Sequence, residues 1–142
     1  MNQSVQNFAA LAGRILLTAI FVISGFNKLS DFSGTAAFMS GAGLPAAEFL
    51  LVLTILIEIA GGLMIVLGLY TRQLALILFL FMIPVTAVFH NPWVAGDPVQ
   101  IQQQMIHFLK NLAIMGGLLH LCAFGPGYFS IEARRSETAS IN

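Results

Sequence analysis

Charge is what this chain has least of. Six Lys and Arg and six Asp and Glu among 142 residues leave charged side chains at 8%, against about 25% in an average globular domain. So few polar groups cannot cover a water-facing surface, and a soluble helical bundle needs a polar outer face. The bilayer is therefore the expected solvent. The formal net charge is zero and no basic arm or aromatic-studded basic groove appears, so no nucleic-acid partner is expected. Cysteine is nearly missing as well. Cys122 stands alone inside an apolar run, where it reads as a small packing residue. A single thiol makes no internal disulfide and no CxxC pair, so dithiol chemistry would need a partner protein. No positive stretch precedes the first apolar segment, which is read as a retained membrane helix rather than a cleaved signal. No metalloprotease helix, phosphate loop, dinucleotide fingerprint or Ser/His/Asp set is found. Neither a metal nor a nucleotide is expected.

What is abundant is hydrocarbon. Hydrophobic residues make up 58% of the chain and mean hydropathy is +0.88. Four apolar segments, at about residues 11–29, 46–69, 73–90 and 105–124, each approach the roughly 20 residues that span a bilayer. The reading is an all-α, four-helix membrane bundle in a single domain. Pro84 lies inside the third segment, where a kink is expected. Gly68 is placed to end the second helix before Arg72 begins the next. Ser30 or Asp31 is placed to cap a short interfacial helix carrying Phe32, Phe38 and Met39. The polar tail at 128–142 is expected to fray. Arg14, Arg72, Arg134 and Arg135 fall at one side and Lys28 at the other, so the positive-inside bias puts both termini in the cytoplasm.

Ionisable residues inside a span are costly and usually face the bundle interior or water. Glu58 sits midway along the second segment. Thr54, Glu58, Gly61, Ile65 and Gly68 share its stripe, and glycines let another helix approach. Arg14, Thr18, Phe21, Gly25 and Lys28 form a matching stripe on the first segment. In the stretch "MIHFLKNL", His107, Lys110 and Asn111 fall at i, i+3 and i+4, on one helical face. Side chains lean toward their helix N-terminus, which tilts Lys28 and His90 down from the outer rim and Glu58, His107 and Lys110 up toward it. These residues are expected to converge on one polar layer in the outer half of the bundle, with Glu58 facing Lys110. Glu58 reads either as a structural, hydrogen-bonded acid or as a proton carrier. His120, near the inner end, reads as packing or interface.

The same residues carry a family likeness. The runs "GRILLTAIFVISGFNKLSDFSG", "EIAGGLMIVLGLYTRQLAL", "FHNPW" and "LKNLAIMGGLLHLCAFGPGYFSIE" resemble the DoxX family of small bacterial membrane proteins over about residues 14–132. The pattern is Arg opening the first helix, SGxxK closing it, ExxGG then GxxTR, a His ending the third helix, KN in the fourth and a final GPG. The resemblance implies an inner-membrane protein tied to quinone or thiol redox chemistry. Some relatives are subunits of thiosulfate:quinone oxidoreductase. Others sit in membrane complexes with superoxide dismutase and a sulfurtransferase, and more distant ones act as assembly helpers.

Together these readings favour a membrane subunit that binds a quinone and supports electron transfer by redox partner proteins. Lys28, His90, His107, Lys110 and Asn111 are the candidate ligand contacts and Glu58 the candidate proton carrier. Arg14, Gly25, Gly61, Gly62, Arg72, Gly125 and Gly127 are read as structural. The alternatives are a non-enzymatic assembly protein for redox-stress partners, and a small transporter, which would need a homo-oligomer.

Overall fold

A computed structural model describes residues 2–94 and 96–141. Among these the chain forms six helices: α1 (Gln3–Ser30), α2 (Phe32–Gly41), α3 (Ala47–Leu67), α4 (Thr71–Phe89), α5 (Pro98–Phe124) and α6 (Ile131–Ile141). Of the described helices, α1, α3, α4 and α5 are long and apolar enough to cross a membrane.

Local chemistry explains most of the boundaries. The Asn2 side chain accepts from Ser4 N–H and starts α1 two turns earlier than its apolar run. Asp31 ends α1 and caps α2, accepting from Gly34 N–H at 3.2 Å. Gly68, at φ +70°, ends α3, and the Leu69 N–H bonds back to Met64 C=O at 2.9 Å, the left-handed closure that glycine permits. Asp97 accepts from Val99 and Gln100 N–H at 3.0 Å, with Pro98 in the first turn. That start signal extends α5 seven residues ahead of the apolar segment, through glutamines that favour helix.

The tail differs most from expectation. Residues 131–141 form α6 instead of fraying. Ser130 is buried, its hydroxyl accepts from Ala133 N–H at 3.1 Å, and Glu132 N–H donates to Gly68 C=O at 3.1 Å.

The bundle is ordered by its contacts: α1 packs on α3, α3 on α4 and α4 on α5, whereas α1 and α5 touch sparingly. Leu, Ile and Phe side chains such as Leu16, Ile23, Leu56 and Leu80 point outward, as a hydrocarbon solvent allows. The interior holds Phe21, Ile65, Leu78, Met82 and Leu118 together with polar residues: Arg14, Thr18, Glu58, Thr86 and Asn111 are all buried. The expected stripe on α1 is the buried one: Arg14, Thr18, Phe21 and Gly25. A Cβ on Gly25 would meet Ile59 Cγ1 at 2.5 Å, and one on Gly62 would meet Val22 Cγ2 at 2.7 Å, so these two glycines let α1 and α3 close on each other. Gly61 plays no such part. A Cβ there would lie 3.9 Å from Leu78, ordinary contact.

Candidate functional site

The two ends of the bundle are built differently. At the end carrying the chain termini, arginines tie the helices to one another. Arg14 donates to Ile65 C=O at 3.3 Å and to Phe129 C=O. Arg72, exposed, donates to the Cys122 C=O at 3.2 Å and to the Ala123 C=O, satisfying the last carbonyls of α5. Tyr70 precedes α4 without a side-chain cap, and the Glu132 carboxylate supplies one, accepting from Thr71 N–H at 2.7 Å. Gly125 and Gly127 have φ of +80° and +77°. A Cβ on Gly125 would lie 3.1 Å from Arg72 Nε, and one on Gly127 would lie 2.8 Å from Ala10 Cβ. This end is a structural knot, and Arg14, Thr71, Arg72 and Glu132 stand apart from the cavity at the other end.

The other end is hollow. A cavity of about 540 Å³ is lined by all six residues singled out as ligand contacts or proton carrier: Lys28, Glu58, His90, His107, Lys110 and Asn111. Its apolar lining includes Phe21, Phe81, Met82, Val85, Phe89 and Ile114. The pairing inside differs from the expected one. Glu58 binds Lys28, not Lys110: Lys28 Nζ lies 2.9 Å from Glu58 Oε2 and 3.0 Å from Oε1. The reason is helix order, since α1 is the neighbour of α3 and α5 is not. Lys28 also donates to Ser24 Oγ. An ammonium has three donors, so Ser24 and Glu58 occupy all of them and Lys28 has none to spare for a ligand.

Across the cavity, Lys110 Nζ lies 3.2 Å from His107 Nδ1. When His107 is neutral and accepts there, its proton sits on Nε2, leaving that N–H and two ammonium donors unengaged by each other. The His90 and His107 rings lie 5.1 Å apart, and His90 Nδ1 is 3.4 Å from Gln104 Oε1. Burial is the main influence on His90 and lowers its proton affinity. His107 and Lys110 push the same way, and Gln104 opposes them. Asn111 is buried and donates to Thr86 Oγ1 at 3.0 Å, joining α5 to α4. Its carbonyl oxygen and second N–H remain for other partners.

Thr54, on the stripe of Glu58, also lines the cavity, as do Ser24, Thr35 and Gln104, which were not anticipated. Ser24 had a signal: it precedes Lys28 by four residues and so shares its face. Among the described residues no group of three or more His, Cys, Asp or Glu comes together to hold a metal. His120 lies away from the cavity, exposed, with its ring 4.5 Å from that of Phe124.

Comparison with known proteins agrees with this architecture. Residues 9–91 match the DoxX family profile. The chain is 34% identical to the inner membrane protein YphA of Escherichia coli K12 over 125 residues, covering 87% of this chain and 88% of that one. It is 35% identical to the inner membrane protein YqjF of the same organism over 130 residues, covering 92% and 94%. It is also 32% identical to a membrane protein of Mycobacterium tuberculosis over 135 residues, covering 89% and 81%. No solved structure matches. With four apolar helices of spanning length among its described residues and relatives of this kind, the chain is a multi-pass inner-membrane protein and belongs to the DoxX family.

Proposed function

We propose that the cavity binds a quinone and that the chain serves as the membrane subunit of a quinone-linked oxidoreductase, with partner proteins carrying the other redox centres. The observation that carries this reading is the pairing of apolar walls with unengaged donors in one space of about 540 Å³. That size falls within the roughly 300–1,000 Å³ of small-molecule pockets, which are mostly apolar with a few placed polar groups. A bound quinone would supply the electron-accepting chemistry. Lys110 and His107 would donate hydrogen bonds to its carbonyl oxygens. Phe81, Phe89 and Ile114 would sandwich its ring and exclude water. Glu58, held by Lys28 and Ser24, would be the group through which a proton is gained or lost.

We orient the cavity toward the periplasm. Arg72, Arg134 and Arg135 are exposed at the opposite end, and the positive-inside bias then leaves both termini in the cytoplasm.

The test is purification from native membranes followed by mass spectrometry of bound small molecules. The wild-type chain should retain quinone, and Glu58→Gln combined with Lys110→Met should lose it. Equal retention by the double variant discards the site. A second reading rests on the saturation of Lys28. The Lys28–Glu58 pair then only fixes α1 against α3, and the chain acts as an assembly protein. Stable partner binding with no retained small molecule is its signature.

A further inference from the structure

Two features of the cavity bear on where its ligand comes from. The first is the wall above it. α2 leaves the end of α1 and places Thr35, Phe38 and Met39 in the cavity lining, and the Phe38 ring stacks on Phe89 at the end of α4, with centroids 5.5 Å apart. This aromatic pair joins α2 to α4 across the end of the bundle that faces water.

The second is the seam between α1 and α5. These helices meet at Leu17 and Gly117, where a Cβ on the glycine would lie 3.0 Å from Leu17 Cδ1. One turn farther toward the cavity end, Ile20 and Ile114 both line the cavity. A second hollow lies along α1 beside the start of α2, lined by Ile23, Asn27 and Asp31, and it shares Ile20, Ser24, Lys28 and Thr35 with the cavity. The four shared residues set the two hollows side by side along α1. Ile20 to Lys28 spans about 12 Å at 1.5 Å per residue. Lys28 lies two residues from the end of α1, so the seam opens within the outer half of a hydrocarbon core about 30 Å thick.

We infer that the cavity opens sideways into the bilayer between α1 and α5, and that its ligand is a membrane-dissolved molecule with a hydrocarbon tail. The polar head enters past Ile20 and Ile114 to reach Lys110 and His107. The tail stays in the seam against Ile20 and Ile23, where it meets lipid chains. A ligand of this class never crosses the aqueous phase, so its affinity is set by its concentration in the membrane. This inference rests on reading the cavity as a ligand site, and two measurements separate the failure of one from the failure of the other.

The first uses a quinone with a ten-carbon tail, decylubiquinone, and a tail-less dimethoxybenzoquinone, each added to the protein in lipid nanodiscs. Ile20→Trp with Ile23→Trp should slow association of the tailed probe at least about tenfold, the low end of the one to three decades over which on-rates vary within one interface. Binding of the tail-less probe at equilibrium should stay within about twofold, because the polar contacts are untouched. Unchanged association of the tailed probe overturns the lateral route.

The second needs no quinone. A spin label at Thr54→Cys, in a Cys122→Ser background, faces the cavity. It should collide with oxygen and with chain-labelled lipids from the bilayer, and both collisions should fall in the double Trp variant. Collision with a water-soluble nickel chelate alone, or with none of these reagents, overturns the opening. If the spin label reports lipid access and neither quinone binds, the opening stands and the quinone reading falls.

Discussion

Lys28 Nζ lies 2.9 Å from Glu58 Oε2 and ties the last turn of α1 to the middle of α3. Among the described residues the second lysine of the cavity, Lys110, has His107 as its polar neighbour and no carboxylate. One lysine is therefore committed to an internal pair, and the other faces the cavity with donors in hand.

That asymmetry separates the two lysines by experiment. Lys28→Met leaves the Glu58 carboxylate, only 7% exposed, without its cation. Breaking a buried pair from one side costs about 3–5 kcal/mol, and the lower figure is expected because Lys28 is partly exposed. Adding Glu58→Gln should recover most of the loss. Lys110→Met should leave stability nearly unchanged. Thermal unfolding of the four variants in nanodiscs measures this, and equal destabilisation by the two lysine substitutions contradicts it.

The glycines on α3 are expected to split. Gly62→Ala and, on the facing helix, Gly25→Ala place a methyl against Val22 and Ile59 at separations no packed carbon tolerates. Overpacking of this kind costs about 1–3 kcal/mol. Gly61→Ala meets only open contact with Leu78 and should be neutral or slightly stabilising, since alanine exceeds glycine in helices by roughly 1 kcal/mol. The comparison is three melting curves against wild type.

At the arginine end, Glu132→Ala removes the cap on Thr71 N–H. Loss of an N-cap costs about 0.5–2 kcal/mol. The more telling readout is protease sensitivity of the C-terminal segment, because α6 then keeps the backbone bond from Glu132 to Gly68 but loses its side-chain tie to α4. Gly68→Ala should be worse, since φ is +70° and the added methyl overlaps Ser130 and Arg14. Unchanged proteolysis in both variants means α6 is held by something else.

The His90 contact sets a pH dependence. Burial, with His107 and Lys110 nearby, holds its proton affinity below the usual histidine value of 6.5. The unfolded chain therefore takes up a proton before the folded one does. The stabilisation is complete above 6.5 and is lost as pH falls toward the folded value. Glu58, His107 and Lys110 face the same cavity, so the control is His90→Gln. The drop in melting temperature between about pH 7.5 and about pH 5.5 should shrink in that variant. A drop of the same size assigns the effect to another group.

Orientation is open to direct test. A fluorescent protein fused after residue 142 should fold and glow if both termini are cytoplasmic, and alkaline phosphatase at the same place should be inactive. The reverse pattern turns the bundle over and puts the cavity on the cytoplasmic side.

Periodicity made much of this molecule readable. Arg14, Thr18, Phe21 and Gly25 stand out at helical spacing in an oily segment, and the structure buries those four. The gathering of Lys28, Glu58, His90, His107 and Lys110 followed from helix direction and depth, and Asn111 from sharing a helical face with His107 and Lys110. The partner of Glu58 did not, because it depends on the lateral order of helices, which no single helix encodes. Gly61 and Gly62 are adjacent in sequence but about 100° apart around the axis, so only the packed rotation of α3 decides which one meets α1. The helix at residues 131–141 was unreadable for a related reason. Its residues are polar, and its anchors at Gly68 and Thr71 lie some 60 positions away.

The arginine knot has one more consequence. None of the residues that form its hydrogen bonds lines the cavity, and distant sites without shared partners behave additively. The fold is thus a chassis fastened at one end with a changeable socket at the other. Cavity side chains other than the Lys28–Glu58 pair and Asn111, which themselves join helices, can be exchanged to favour a different headgroup without loosening the arginine end.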